Sequence, residues 1–228
     1  MCGDFEPGHA LEAVNRYFGE IPGGDPVPPV PGRTAIDGMV GATERERVED
    51  QVPLTRVIVA SRIPPFGDPD FYALDVASSV LGTGRASRLY RSLVRERRLA
   101  KDVVSYAFPL VTGPSLFITW ATGVRGVDEE ELTTALLEEL DDLADVDGQD
   151  VARAVTLAET NWVRGVERVG RRADLMSMFA THFDEPERIN TEMDRIRAVT
   201  LDDVRSCAER LGPHNRAIIT YGPGEDGA

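Results

Sequence analysis

One segment constrains the fold of this chain more than any other. Residues 56–103, RVIVASRIPPFGDPDFYALDVASSVLGTGRASRLYRSLVRERRLAKDV, run through strand, turn, helix, glycine break, helix and strand without interruption. Val52–Ser61 alternates and is β-branched, the pattern of a strand. Asp68-Pro69 sets a helix start, a capping carboxylate followed by proline in the first turn. Phe71, Leu74, Ala77 and Leu81 then share one helical face, and Ala73, Ser78 and Ser79 are small enough to let that helix approach a sheet closely. Gly82 and Gly84 end it and permit a tight reversal. A second helix is predicted beyond them, with Leu89 and Leu93 on its stripe and Arg88, Arg91 and Arg95 on another face.

Val103–Leu110 and Leu116–Thr122 read as a strand pair around Thr112-Gly113-Pro114. The remainder is helical until its end. Asp128 is placed to cap a helix whose Leu132, Leu136, Leu140 and Leu143 form one buried stripe. Asp147 and Asp150 have the spacing of a capping box at the head of a long helix carrying Val151, Val155, Ala158 and Trp162. Shorter helices are predicted over Leu175–Phe183, Pro186–Arg197 and Thr200–Leu211, and a last strand over Arg216–Tyr221. The expected fold is α+β: a mostly antiparallel sheet with helices packed on one face.

Three parts are separable along the chain. Residues 1–21 hold a helix with Leu11, Val14 and Phe18 on one face, introduced by Glu6-Pro7. Residues 22–44 begin as PGGDPVPPVPG, too rich in proline and glycine for regular structure, and serve as a linker. The main domain covers residues 45–222, and 223–228 are a disordered tail.

Composition excludes several classes of function. The formal charge is −14, which disfavours nucleic acid, since phosphate binding requires clustered Lys and Arg. Such acidity serves solubility, and its functional reading is a field that draws in basic peptides. Lys101 is the only lysine; the other positive charges are arginines. No apolar run approaches the ~20 residues of a membrane span, and the start does not resemble a secretion signal. Cys2 and Cys207 are far apart and do not form a disulfide framework, so a reducing cytoplasm is the expected compartment.

In its order of elements and in these residues, above all Pro64–Asp70 and Gly82–Leu93, the chain resembles the C-terminal domain of the insulinase/pitrilysin-type zinc metallopeptidases, the group that includes the processing peptidases. The resemblance spans nearly all of the 228 residues. It implies that residues 1–21 are the tail end of a preceding homologous domain and that Met1 is not the natural start. It further implies that zinc belongs to a partner catalytic domain or subunit and that this chain binds no cofactor of its own. The expected function is that of the non-catalytic, substrate-enclosing half of a zinc-dependent endopeptidase that degrades or processes peptides. The chain alone would be inactive, and a homodimer is a further possible arrangement. The alternative within the same fold is a catalytically dead scaffold or partner subunit.

The residues themselves agree with a site lying elsewhere. The family's catalytic motif is H-x-x-E-H on a helix, two histidines one turn apart with a glutamate between them as general base. Only His9, His182 and His214 occur here, and in His9-Ala-Leu-Glu12-Ala13 the second ligand position is alanine. His182 reads as a partly buried helix residue beside Phe179 and Phe183, and His214 as a solvated turn residue after Gly212-Pro213. Cys207, among Val204 and Leu211, reads as core. Leu81-Gly-Thr-Gly-Arg85 lacks the Gly-Lys-Ser/Thr ending of a phosphate loop and reads as a turn.

One substrate-binding pair carries over by position. The family motif L-R-x-x-x-x-L-A-Y supplies an Arg and, seven residues later, a Tyr that reach across the chamber toward substrate. The matching segment here is Leu93-Val94-Arg95-Glu96-Arg97-Arg98-Leu99-Ala100-Lys101, so the two positions hold Val94 and Lys101. Arg95 is one residue out of place, about 100° around a helix. Packing is the plain role for Val94. Lys101 remains able to offer a cation to a peptide carbonyl or carboxylate.

Overall fold

The computed structural model describes residues 1–26 and 40–224. Most of the Pro/Gly-rich linker and the last four residues lie outside the described residues. The described elements are α1 (Pro7–Phe18), β1 (Glu44–Asp50), β2 (Arg56–Ile63), α2 (Pro69–Gly82), β3 (Ala100–Phe108), β4 (Ser115–Gly123), α3 (Glu129–Asp141), α4 (Gly148–Val166), α5 (Val169–Phe183), α6 (Glu192–Arg197), α7 (Leu201–Arg210) and β5 (Ala217–Pro223).

The strands form one five-stranded sheet in the order β1-β5-β2-β4-β3. Three of its neighbouring pairs are antiparallel, and only β1 with β5 is parallel. The fold is therefore the expected α+β class, with a mixed sheet. Helices α2 and α3 contact the sheet, and α4, α6 and α7 pack on the far side of α2. That second layer explains why α2 is buried nearly all round, with Tyr72, Val76 and Val80 covered as well as the expected Phe71, Leu74, Ala77 and Leu81.

Local chemistry places α2. The Asp68 side chain accepts from the Asp70 N–H at 3.0 Å, with proline in the first turn. At the other end Gly82 crosses β3 so closely that a Cβ would strike the Ser105 backbone. Only glycine permits that approach. On the β3–β4 pair the buried side is partly hydroxylic there, with Ser105 Oγ and Thr119 Oγ1 3.0 Å apart. Asn215, fully buried, tethers the end of β2 by accepting from the Arg62 N–H and donating to the Arg62 and Arg210 carbonyls.

Several elements differ from their sequence reading. β1, ERERVED, is an edge strand that its alternating charges conceal; Arg45 and Arg47 pair with Glu130 and Glu129 at the start of α3. β2 is shifted toward the C-terminus relative to Val52–Ser61. The predicted helix after Gly84 is a short, wide helical turn, Tyr90–Glu96, closed by a bond from Arg97 N–H to Ser92 O. The single helix expected over Pro186–Arg197 is broken into a tight turn, Pro186–Asn190, and α6. Leu143 belongs to a separate tight turn, Asp142–Asp145, after α3.

Asp147 caps α4 by accepting from the Gln149 and Asp150 N–H groups, but there is no capping box. Asp150 turns instead to Arg91, 2.9 Å away, and Arg153. It thus fastens the wide turn to α4.

Candidate peptide-facing surface

Strands β2, β3, β4 and β5 alternate, but both of their faces are largely apolar. Val57, Val59, Ile63, Phe117, Ala121 and Ile218 point into the core beneath the helices. The opposite face carries a second apolar set that is half-buried rather than covered. Strand register aligns it into rows. Val104 stands opposite Trp120, Trp120 opposite Ile58, and Ile58 opposite Ile219. The next row is Tyr106, Ile118, Ala60 and Ala217. Tyr106 and Trp120 meet across the two rows, centroids 5.7 Å apart and planes at 84°. A strand apolar on both faces is the pattern of a sheet buried on both sides, yet the described helices cover only one. A contiguous apolar surface of this kind marks an interaction site.

The next row along this face is polar. Arg56 Nε donates to Thr122 Oγ1 at 3.0 Å, and the Thr122 hydroxyl donates to Asp102 at 3.0 Å. These three residues are register partners across β2, β4 and β3.

The two positions singled out by the family motif lie near this end. Val94 is half-buried in the wide turn and packs against the hydrophobic core. Lys101 is exposed and sits in a bulge between the Ala100–Gly123 and Asp102–Thr122 pairs. An extra residue in a bulge is re-aimed relative to its strand neighbours. Nothing in the structure brings Val94 and Lys101 into direct contact.

Among the described residues the titratable side chains form no catalytic constellation. His9 is exposed on α1, and His182 is exposed on α5 rather than partly buried. His214 is half-buried in the turn Pro213–Asn215 rather than fully solvated. Among the described residues no group of three or more His, Cys, Asp or Glu is arranged to hold a metal ion. The donors present therefore do not fit a zinc site. Cys207 is buried in α7, its thiol pushed up to about 12, first by burial and then by Asp70 and Asp203. It stays protonated and is a poor nucleophile. It borders a groove of about 610 Å³ between the start of α2, α6 and α7, where Arg195 and Arg210 face Asp70 and Asp203.

A buried polar cluster anchors the helical side. Arg188 pairs with Glu192 at 2.7 Å and donates to the Tyr72 hydroxyl at 2.6 Å, while that hydroxyl donates to Glu192 at 2.7 Å. The guanidinium lies 4.1 Å from the Phe183 ring centroid and also faces Phe66 and Phe179. Burial, followed by the Glu192 carboxylate, raises the Tyr72 hydroxyl pKa, so it remains a donor. This cluster locks the turn before α2 to α5 and has no access to the open sheet face.

The open face was the functional feature least visible in the sequence. The signal was present in RVIVASRI and SLFITWATG, whose apolar residues occupy alternate and intervening positions alike.

Comparison with known proteins identifies the family and the fold. The family model described as the peptidase M16 inactive domain matches residues 1–157. An uncharacterized zinc protease of Streptomyces coelicolor is 27% identical over 157 residues, 68% of this chain and 34% of that protein. A crystal structure of a Helicobacter pylori protease superposes with a TM-score of 0.86 at 19% identity, over 97% of this chain and 54% of that one. The inactive peptidase domain of a Bordetella parapertussis protein described as a zinc protease gives 0.69 at 25% identity, over 78% of this chain and 95% of that one. The chain thus spans about a third of the length of the Streptomyces relative and about half that of the Helicobacter chain. With a family match over most of its length, the chain belongs to the peptidase M16 inactive-domain family, the non-catalytic domain of that family of zinc proteases.

Proposed function

We propose that this chain is the substrate-enclosing C-terminal half of a zinc-dependent metalloendopeptidase that degrades or processes peptides. Its partner is a zinc-bearing catalytic domain of the same family, on the same polypeptide or on another. The observation that carries this reading is the open sheet face, where Trp120, Tyr106, Ile58, Ile118 and Ile219 have no described helix over them. Such a face forms a chamber wall that holds an extended peptide through nonspecific apolar contact, while the catalytic half pairs with the peptide by strand addition. Residues 1–21 fit the tail end of a preceding homologous domain. The apolar side of α1, with Leu11 61% and Phe18 62% exposed, supports a partner surface there. Lys101, at the rim of the face, is the better placed of the two family positions to meet substrate; Val94 supports the turn beneath it. No described helix is long and apolar enough to cross a membrane. The two free thiols support a cytoplasmic setting.

Trp120 provides the test. In a Trp162→Phe background it is the chain's remaining tryptophan. Its emission should shift when an unstructured peptide substrate is added to the chain assembled with its catalytic half. Cleavage of the peptide with Trp120 unperturbed would refute the wall role.

A second reading is a scaffold of the same fold that has lost catalysis. The occupancy of the family Arg and Tyr positions by Val94 and Lys101 favours it. In that case a protein partner would cover Trp120 permanently and peptide would leave its emission unchanged.

A further inference from the structure

The end of the open face where β3 begins and β4 finishes gathers positive charge in a strongly acidic chain. Arg98 precedes the Ala100–Gly123 pair, Arg125 follows it, and the Val124 N–H bonds to the Leu99 carbonyl at 3.0 Å, which brings Arg98 and Arg125 to the same corner. Lys101 occupies the adjoining bulge, and Arg56 lies on the polar row two strands away. All four side chains are exposed, and none forms an ion pair among the described residues. Other arginines of the same region are engaged: Arg88 with Glu139, Arg91 with Asp150, and Arg97 with Glu138. Of the nearby carboxylates, Asp102 already accepts from the Thr122 hydroxyl, and Glu96 is exposed on the wide turn.

A second observation comes from the backbone. Arg98 has φ +55°, the left-handed conformation that favours glycine. A non-glycine residue held there carries a conformational cost. Glycine would relieve that cost but would remove the guanidinium.

We propose that this corner is a carboxylate-recognition site, formed by Arg98, Lys101, Arg125 and Arg56, for anionic peptides whose apolar side chains lie on the adjoining Val104–Trp120–Ile58–Ile219 row. The proposal rests on the reading of this face as a peptide-enclosing wall. It runs against the chain's overall charge of −14, which by itself favours basic peptides. The recognised carboxylate belongs to an acidic side chain or to the peptide C-terminus.

The experiment uses the Trp162→Phe chain assembled with its catalytic half and reads Trp120 emission on titration with matched peptides. One pair differs only by Asp/Glu against Asn/Gln beside an apolar stretch; a second pair differs only by a free or amidated C-terminus. Acidic forms should bind about fivefold or more tighter at low salt, a difference that shrinks as salt rises. Loss of the preference on side-chain neutralisation assigns an acidic side chain, and loss on amidation assigns the terminal carboxylate. Arg98→Gly, Lys101→Gln and Arg125→Gln together should reduce the preference to less than about twofold without lowering the melting temperature. Arg171→Gln, a distant charge change on α5, should leave it intact. Equal affinity for acidic and neutral peptides overturns this inference while leaving the wall reading standing. An equal loss with Arg171→Gln also overturns it. Failure of every peptide to bind overturns both.

Discussion

Tyr106 and Trp120 pack edge to face on the side of the sheet that no described helix covers, their ring centroids 5.7 Å apart. The pair is arranged as buried aromatics usually are, yet neither ring is fully buried. Trp120→Ala should therefore cost little stability, on the order of 1–2 kcal/mol, because solvent already reaches the ring. The same substitution should abolish or sharply weaken peptide binding. Urea unfolding read beside a peptide titration separates the two effects. A large stability loss with unchanged binding would place the ring in the fold rather than in the surface.

Arg188 and Glu192 are the contrasting case. Both are nearly inaccessible and their pairing is completed by Tyr72. Removing Arg188 leaves the buried Glu192 carboxylate with only the Tyr72 hydroxyl and the longer, largely exposed contact to Arg195 at 3.7 Å, so Arg188→Ala should destabilise by about 3 kcal/mol. Tyr72→Phe removes a hydroxyl but leaves the ion pair, and should cost about 1–3 kcal/mol. Chemical denaturation of the two variants checks both the order and the size.

Asp75 gives a pH signature. Burial alone raises its carboxyl from the usual range to about 6. The folded state therefore binds its proton more tightly than the unfolded chain between about pH 4 and 6. Its contribution to stability is fully present below that window and is lost as pH rises through it. Asp75→Asn should stabilise the chain at pH 7 by roughly 2–3 kcal/mol and lose that advantage below about pH 4. Unfolding curves at a series of pH values test this, and a gain that grows toward acid would contradict it.

Gly82 tests the placement of α2 on the sheet. A methyl group there would strike the Ser105 backbone, so Gly82→Ala should push α2 from β3 and cost at least about 1–3 kcal/mol despite alanine's better helix propensity. Thermal unfolding against wild type is sufficient. A neutral or stabilising result would mean that the helix does not lie so close.

The layered α+β architecture and the α2 helix were legible because they rest on local rules: a capping carboxylate, a proline in the first turn, and apolar residues at helical spacing. Elements governed by distant partners were not. β1 has one half-buried residue, Val48, and is held by its pairing with β5 and by Arg45 and Arg47 reaching α3, so its own sequence carries no strand period. The tight turn Pro186–Asn190 that precedes α6 holds Arg188, whose side chain is fixed by Tyr72 and Phe66, far away in sequence, together with the nearer Phe179 and Phe183 rings.

The candidate surface divides in the same way. Lys101 was singled out by its position in a motif, and its bulge is visible only in the register with β4. Trp120 and Ile58 were recognisable as strand residues. That their face is uncovered depends on where every helix packs, which no local pattern encodes.

The proposed function makes hydrolysis depend on a zinc-bearing partner, with this chain supplying the enclosing wall. Its most direct test is peptide cleavage measured with the purified chain, with the catalytic half, and with the two combined, each in the presence of zinc and then of a chelator. The chain alone should neither retain stoichiometric zinc nor cut peptide, whereas the combination should cleave in a chelator-sensitive manner and faster than the catalytic half by itself. Chelator-sensitive cleavage by this chain alone, or no gain from adding it to the catalytic half, would contradict the account.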